Sequence, residues 1–405
     1  MPARTLDVNA FDAFLKEIYP NVRVESLAMK DRPLLSYFPR YDEFYGDAYV
    51  VPVLYEDPQG RAANLQDAIN QAENLQGVRF VATQRKFDYG VVQISGEVMM
   101  AASKDVGSFI RAREKQINGM IRNIGKSIHL ALYRSGSGSL SQISAIAPGG
   151  TQVTLQDASA THYFGVGQFL IANDTDDAVS PRTGLVRVDR RSVSAGTLDL
   201  DQDVTSLASP WQVGDYLFTN GDQGAKVVGL DGWLPSSEPV PGDNFFTVDR
   251  SLDGTRLGGQ RVSGPGTVSE RLQTAAVLIG EEGGEPDTVF MNPRDGLLLS
   301  AELQLQVERQ DGDREGFGFS GFRIENFITG PIQIVFDHGC PQGRCYMLQQ
   351  DTWRLAHMGP LPHIIRDDGR DSLRGANEDN IQVRARAFLE LLCEAPGYNA
   401  VIDLT

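Results

Sequence analysis

The densest run of potential ligands in the chain is Asp337-His338-Gly339-Cys340-Pro341-Gln342-Gly343-Arg344-Cys345. Two thiols and an imidazole are the residue types of a zinc or redox centre. They are too few for a closed structural zinc site, and the second cysteine pair of a zinc ribbon is missing. The run reads as a loop between two strands carrying incidental thiols. Asp174, Asp176 and Asp177 form an acidic turn whose carboxylates suit Ca²⁺, but no EF-hand pattern surrounds them, and a solvated turn is the plainer reading. His129, His162, His338, His357 and His363 are scattered, with no HExxH. No GxGxxG follows a strand, and GxxxxGK[ST] and GxSxG are absent. The expectation is no catalytic residue, no metal, no cofactor and no enzyme. Three cysteines, an odd number in 405 residues, fit a reducing compartment and no disulfide framework.

With no chemistry to position, the elements themselves become the message. Ser103 to Arg134 carries Phe109, Ile110, Ile117, Ile121, Ile124, Ile128 and Leu132 at helical spacing. Ser103 or Asp105 suits the N-cap. At about 1.5 Å per residue such a helix spans roughly 45 Å, the width of a domain. Its other face holds Arg111, Arg113, Lys115, Arg122 and Lys126, read either as a solvated face or as partners for acidic groups on another subunit. Gly119 and Gly125 each cost about 1 kcal/mol relative to Ala and so mark a close approach or a bend.

Before the helix, Asn9–Ile18 suits a short helix with Phe11, Leu15 and Ile18 on one face. The rest of the first 44 residues reads as an extended arm with little core of its own. Ala48–Tyr55 runs out as a strand, and Arg79–Thr83 with Phe87–Ser95 run back. A hairpin this long cannot bury both faces within its own domain, and its edges need a partner. After the helix, Ser135-Gly136-Ser137-Gly138-Ser139 reads as a flexible joint. Short strand patterns at Gln152–Leu155, Gln168–Ala172, Gly184–Val188, Gly196–Leu200 and Tyr216–Phe218 then suggest a small barrel or sandwich. A helix is expected at Val268–Ile279. Pro331–Phe336 and Arg344–Leu348 read as a hairpin, and Val383–Leu392 and Asn399–Leu404 as closing strands.

Net charge is −16. Such a chain is a poor non-specific nucleic-acid binder, since phosphates demand Lys and Arg. It suits the wall of a nucleic-acid container, which must not grip its contents. No run approaches the roughly 18 apolar residues of a membrane span, and Met1-Pro2-Ala3-Arg4-Thr5-Leu6-Asp7 lacks the pattern of a signal peptide. The chain starts at Met1, and no large cleaved leader is expected.

This order of elements resembles the major capsid proteins of tailed bacteriophages, the Hong Kong 97-type fold. The matching stretches are Tyr89–Met100 leading into the helix, Gly229-Leu230-Asp231-Gly232-Trp233 after it, and Val289-Phe290-Met291-Asn292-Pro293-Arg294-Asp295. The closing Phe388–Glu394 with Tyr398–Val401 completes the set. The resemblance implies an α+β fold divided into an N-terminal arm (1–44), an E-loop hairpin (45–100) and a spine helix of the peripheral domain (101–138). An inserted small all-β domain (139–226), a continued peripheral domain (227–265), an axial domain (266–360) and a return to the peripheral domain (361–405) follow. It implies self-assembly into hexamers and pentamers of an icosahedral head around double-stranded DNA, without sequence-specific binding and without a membrane. Portal, scaffold or decoration proteins are implied partners, and the virion, built in the host cytoplasm, is the implied location. Tyr49, Val51, Phe80, Phe87, Tyr89, Arg111, Arg113 and Arg122 are the expected inter-subunit contacts. Some relatives join an E-loop Lys to an Asn of a neighbour; Lys86 and Asn292 are the residues to ask about here, and no motif places them together. Two other readings are an encapsulin-type compartment and a β-rich carbohydrate-binding or hydrolytic protein built around 140–225.

Overall fold

The computed structural model describes residues 21–42, 44–46, 48–56, 60–72, 76–82, 85–95, 106–176, 181–303, 321–327, 330–366, 373–374 and 380–404. The expected helix at 9–18, the N-cap candidates Ser103 and Asp105, and Asp177 lie outside them.

The chain opens with helices α1 (Asn21–Met29) and α2 (Pro33–Tyr37) and a two-residue strand β1 (Arg40–Tyr41). Strand β2 (Tyr49–Glu56), helix α3 (Leu65–Asn70) and strand β3 (Gln76–Ala82) form a hairpin with its own two-stranded sheet. Strand β4 (Lys86–Ser95) leads to the long helix α4 (Val106–Ala131). Strands β5 (Ser139–Ile146), β6 (Gln152–Leu155), β7 (Phe169–Asn173), β8 (Val186–Ser192), β9 (Thr197–Leu200) and β10 (Tyr216–Thr219) follow. Next come helix α5 (Leu230–Trp233), strands β11 (Asn244–Phe245), β12 (Val248–Asp249) and β13 (Gln260–Val262), helix α6 (Val268–Glu281), strand β14 (Thr288–Met291) and helix α7 (Pro293–Leu303). The last strands are β15 (Gly321–Phe327), β16 (Gly330–Phe336), β17 (Arg344–Leu348), β18 (Trp353–His357), β19 (His363–Ile364), β20 (Leu373–Arg374), β21 (Asn380–Cys393) and β22 (Ala400–Asp403).

Two six-stranded sheets organise the molecule. The first has the path β1-β18-β21-β19, with β20 and β4 also paired to β21. The second runs β13-β22-β17-β14-β16-β15. Period-2 alternation in the second sheet sends neighbouring residues into different cores. Val289 and Met291 of β14 face the core beneath α6 and α7, whereas Phe290 faces the main core with α4 and the first sheet. In β17, Cys345 and Met347 take the α6 side and Tyr346 and Leu348 the other. Helix α6 is started by a capping box, with the Thr267 hydroxyl on the Glu270 amide and the Glu270 carboxylate on the Thr267 amide.

Helix α4 lies across the first sheet through Ile117, Ile121, Ile124 and Ile128. Gly125 is there for close approach, since a Cβ would overlap the Ala28 carbonyl of α1, while Gly119 faces open space. At the C-terminal end of α4, Gly229 sits against the Ala131 and Leu132 carbonyls, which leave no room for a Cβ. That contact lets α5 bring Trp233 into the core, where its Nε1 donates to the Leu391 carbonyl at 2.9 Å.

Strands β5 to β10 close into a barrel in the order β10-β5-β6-β9-β8-β7, with β7 paired to β10. Its interior is filled by Val153, Leu170, Val186, Val188, Leu198 and Leu217 among others. Buried Asp215 at the turn into β10 accepts from the Gln212 amide at 2.7 Å and pairs with Arg182.

Several expectations change. Residues 21–38 are no bare arm, for Val24, Ala28, Leu34, Leu35 and Phe38 are buried in the main core. Strand β4 is not a limb of the hairpin; it pairs antiparallel with β21 from Lys86↔Leu389 to Ser95↔Asn380. Strands β16 and β17 form no hairpin, because β14 lies between them, parallel to β16 and antiparallel to β17. The two closing strands part, β21 belonging to the first sheet and β22 to the second. The Ser/Gly joint is pinned, not loose. The Ser135 and Ser137 hydroxyls donate to Asp176, and Gly224 N donates to the Ser137 carbonyl at 2.6 Å. Gly136 and Gly138 have φ of 94° and 89°, which only glycine adopts cheaply.

Candidate assembly surface

The β4/β21 ribbon presents two chemically different faces. On the inner face Ile94, Ile381, Val383, Ala385 and Ala387 are buried beneath α4. Gly90 allows this contact, because a Cβ there would lie 2.8 Å from Met120 Cγ. On the outer face Phe87, Tyr89 and Val91 are 51%, 60% and 53% exposed. The register sets Phe87 opposite Phe388, Tyr89 opposite Arg386 and Val91 opposite Arg384. Phe87 and Tyr89 stack at 6.3 Å and 14°, both edge-on to Phe388, and the Arg386 guanidinium lies 5.2 Å from the Phe388 ring centre. Aromatic rings beside half-buried arginines are the composition of interface cores. Among the described residues β4 pairs with β21 alone, so its second edge carries unpaired backbone groups.

The hairpin repeats the theme. Val51, Val53, Phe80 and Ala82 on one face are buried, while Val50 and Leu54 on the other are 47% and 61% exposed. Near its tip, α3 exposes Leu65 and Ile69. The hairpin base is anchored where Val81 N donates to the Phe246 carbonyl at 3.0 Å and Phe80 meets the Trp233 ring edge-on at 5.2 Å. The β11–β12 turn that makes this contact holds Phe246 and Thr247 at φ of 44° and 73°. That left-handed region is costly for both residue types.

The expected contact residues therefore divide. Phe87, Tyr89 and Arg122 are exposed, and Tyr49 is half-buried. Val51 and Phe80 are buried within this chain and leave no surface for a neighbour. Arg113 is not on an exposed face either; it is 3% exposed, and burial lowers its pKa to about 10. Arg111 lies in α4, with its side chain outside the described set. Val50, Leu54, Val91, Arg384 and Arg386 were missed. The alternation Phe87-x-Tyr89-x-Val91 and Arg384-x-Arg386-x-Phe388 was the available signal.

The ligand-type residues are occupied locally. Cys340 packs in the main core and Cys345 in the core under α6, and both are free thiols. Burial pushes both thiols well above their usual range. The Asp337 carboxylate meets His129 Nε2 at 2.9 Å and accepts from the Tyr133 hydroxyl and the Gly339 amide at 2.8 Å each. Asn292 is buried, donates to the Cys340 carbonyl at 2.8 Å and accepts from the Arg294 amide at the start of α7. The Lys86 ammonium donates to the Gly224 carbonyl at 3.1 Å. Among the described residues no group of three or more His, Cys, Asp or Glu converges as a metal site, and no helix is long and apolar enough to cross a membrane.

No protein-family model matches the chain, and no curated protein matches it. Among solved structures it is similar to the capsid asymmetric unit of cyanophage A-1(L), at 10% identity over 94% of this chain and 93% of that one, with a TM-score of 0.50. It also matches the holo-SrpI encapsulin complex from Synechococcus elongatus at 9% identity over 97% and 95%, TM-score 0.46. The capsid of a native GTA particle matches at 9% identity over 94% and 90%, TM-score 0.43. The first of these shows that the chain has the fold of a phage capsid protein, a mixed helix-and-strand fold consistent with the Hong Kong 97 type.

Proposed function

We propose that this chain is the major capsid protein of a tailed double-stranded DNA bacteriophage, and that its copies assemble into hexamers and pentamers of an icosahedral head around the genome. The observation that carries this reading is the likeness to the cyanophage A-1(L) capsid subunit across nearly the whole of both chains. The exposed outer faces of the hairpin and the β4/β21 ribbon support it, since apolar surface concentrated on reaching elements belongs against another molecule. The hairpin lies on an adjacent copy, and Phe87, Tyr89 and Arg386 form the centre of one contact. The net charge of −16 keeps the packed polyanion from adhering to the wall. The barrel is an ornament inserted between the spine helix and the rest of the tile. Portal, scaffold and decoration proteins complete the virion, which is assembled in the host cytoplasm.

Electron microscopy and sedimentation of the purified chain test this. Closed shells are expected, and Phe87→Asp/Tyr89→Asp should leave a folded chain that no longer forms them. A chain that stays monomeric under every condition tried, alone and with co-expressed phage head proteins, would sink the proposal. Particles holding enzyme cargo in place of DNA would move the reading to an encapsulin-type compartment.

A further inference from the structure

Away from the assembly surface, four parts of the chain meet around a cavity of about 590 Å³. The turn between α1 and α2 brings Lys30 and Arg32, α4 brings Arg122, Lys126 and His129, the barrel brings His162, and the loop after β16 brings His338. Four basic side chains, Lys30, Arg32, Arg122 and Lys126, thus line a space that holds two carboxylates, Asp31 and Asp337, in a chain of net charge −16. Asp337 already has both oxygens engaged, by His129 and Gly339 on one and Tyr133 on the other.

Two of the cations, Arg32 and Lys126, are held by backbone carbonyls. Arg32 donates to the Ala28, Lys30 and Arg122 carbonyls at 2.5, 3.1 and 2.6 Å. Lys126 donates to the His162 and Tyr163 carbonyls at 2.6 and 3.1 Å. Among the described residues none of Lys30, Arg32, Arg122 and Lys126 forms an ion pair. Carbonyl contacts orient a cation without neutralising it, and Asp31 and Asp337 offset the Arg32 charge only from a distance. Burial, with Arg191 and Arg32 close by, brings the Lys126 ammonium down to about 8. His129 also lines the cavity and is 5% exposed. Its Nε2 is taken by Asp337, and its Nδ1 is buried without a hydrogen-bond partner.

We infer that this cavity binds a small oxyanion of the phosphate class. Two guanidinium groups and an ammonium suit phosphate oxygens, because the planar fork of Arg donates two parallel N–H bonds. The volume falls in the range of small-molecule sites, about 300–1,000 Å³. It admits inorganic phosphate or pyrophosphate and is too confined for a duplex. Bound there, the anion ties the α1–α2 turn and the barrel to the spine helix.

Thermal unfolding and calorimetric titration of the full-length chain with pyrophosphate and with inorganic phosphate, against sodium chloride at matched ionic strength, test this. Saturable binding with a rise in melting temperature is expected for at least one of the two. Arg122→Gln/Lys126→Gln should weaken it about tenfold or more, the loss of a charge-assisted hydrogen bond. Arg187→Gln, on an exposed barrel position, should not. Should the double variant fail to fold, phosphorus-31 line broadening of pyrophosphate by the unaltered chain decides. Overturning results are an effect no greater than that of chloride, affinity untouched in the folded double variant, or binding to a DNA duplex with none to either small anion.

Discussion

Glu390 on β21 is fully buried, and its chemistry sets a measurable pH dependence. Its Oε1 accepts from the Val228 amide at 3.1 Å, and its Oε2 has no partner. Burial raises its pKa from 4.5 to about 8, against the opposing pull of the Val228 amide and Lys86. The folded chain therefore holds a proton that the unfolded chain releases at lower pH. A folded pKa above the unfolded one gives stability that is fully present below pH 4.5 and is lost as pH rises through about 8. Each pH unit between those limits removes about 1.4 kcal/mol, so at pH 7 the loss is about 3 kcal/mol. Glu390→Gln keeps the shape and the acceptor for Val228 and has no proton to lose. Urea unfolding of the unassembled chain and of the variant, at half-unit steps from pH 5 to 8, gives the test. The variant's stability relative to the parent should climb by about 1.4 kcal/mol per pH unit across that range. Other titrating groups cancel in the difference, and any constant penalty for the unpaired amide shifts the line without tilting it. Parallel stability curves would show that Glu390 is ionised in the folded chain and refute the reasoning.

The two helix glycines should respond oppositely. Gly119→Ala should stabilise by about 1 kcal/mol through helix propensity, whereas Gly125→Ala should destabilise by about 2 kcal/mol because its Cβ meets the Ala28 backbone; chemical denaturation of both settles it. Thr247→Gly should raise stability by about 1 kcal/mol by relieving the left-handed conformation, less the entropy of glycine, as read by calorimetry. Asp337→Asn should cost about 3 kcal/mol at pH 7, because it replaces a buried carboxylate that accepts from His129, Tyr133 and Gly339 with an amide whose nitrogen cannot accept. Burial pushes the Asp337 carboxyl up, but the interaction with His129 and the hydrogen bonds from Gly339 and Tyr133 outweigh it and hold the group below its usual range, so its contribution fades at acid pH as it protonates. Equal stability of this variant and the parent at pH 7 would refute the account.

What the sequence disclosed follows from how local each signal is. Helix α4 was legible because its isoleucines repeat within one element, and the barrel strands because turn residues bracket each one. Strand β4 was misplaced because its partner lies about 300 residues further on, and no local pattern in Phe87–Ser95 names Phe388. The α1 segment looked like an arm because nine residues make only about two and a half helical turns, too short a run to fix a face; its burial depends on Gly125 of another helix letting Ala28 approach. Arg113 looked solvent-facing by periodicity, yet packing around α4 covers it. The Ser/Gly joint failed for a different reason. Composition reports flexibility, whereas the structure uses the same glycines for positive φ.

The pairing of β4 with β21 also works as a clock. Phe87 and Tyr89 leave the ribosome long before Arg384, Arg386 and Phe388, with which they form one surface. At about 5–20 residues per second, the second half of that surface arrives roughly 15–60 s after the first. Until then a growing chain carries only half of the patch that copies would use to find each other. If copies join through this face, as proposed, neighbouring chains on one messenger are kept from joining before each has folded, and the order of strands in the sequence sets when assembly can begin.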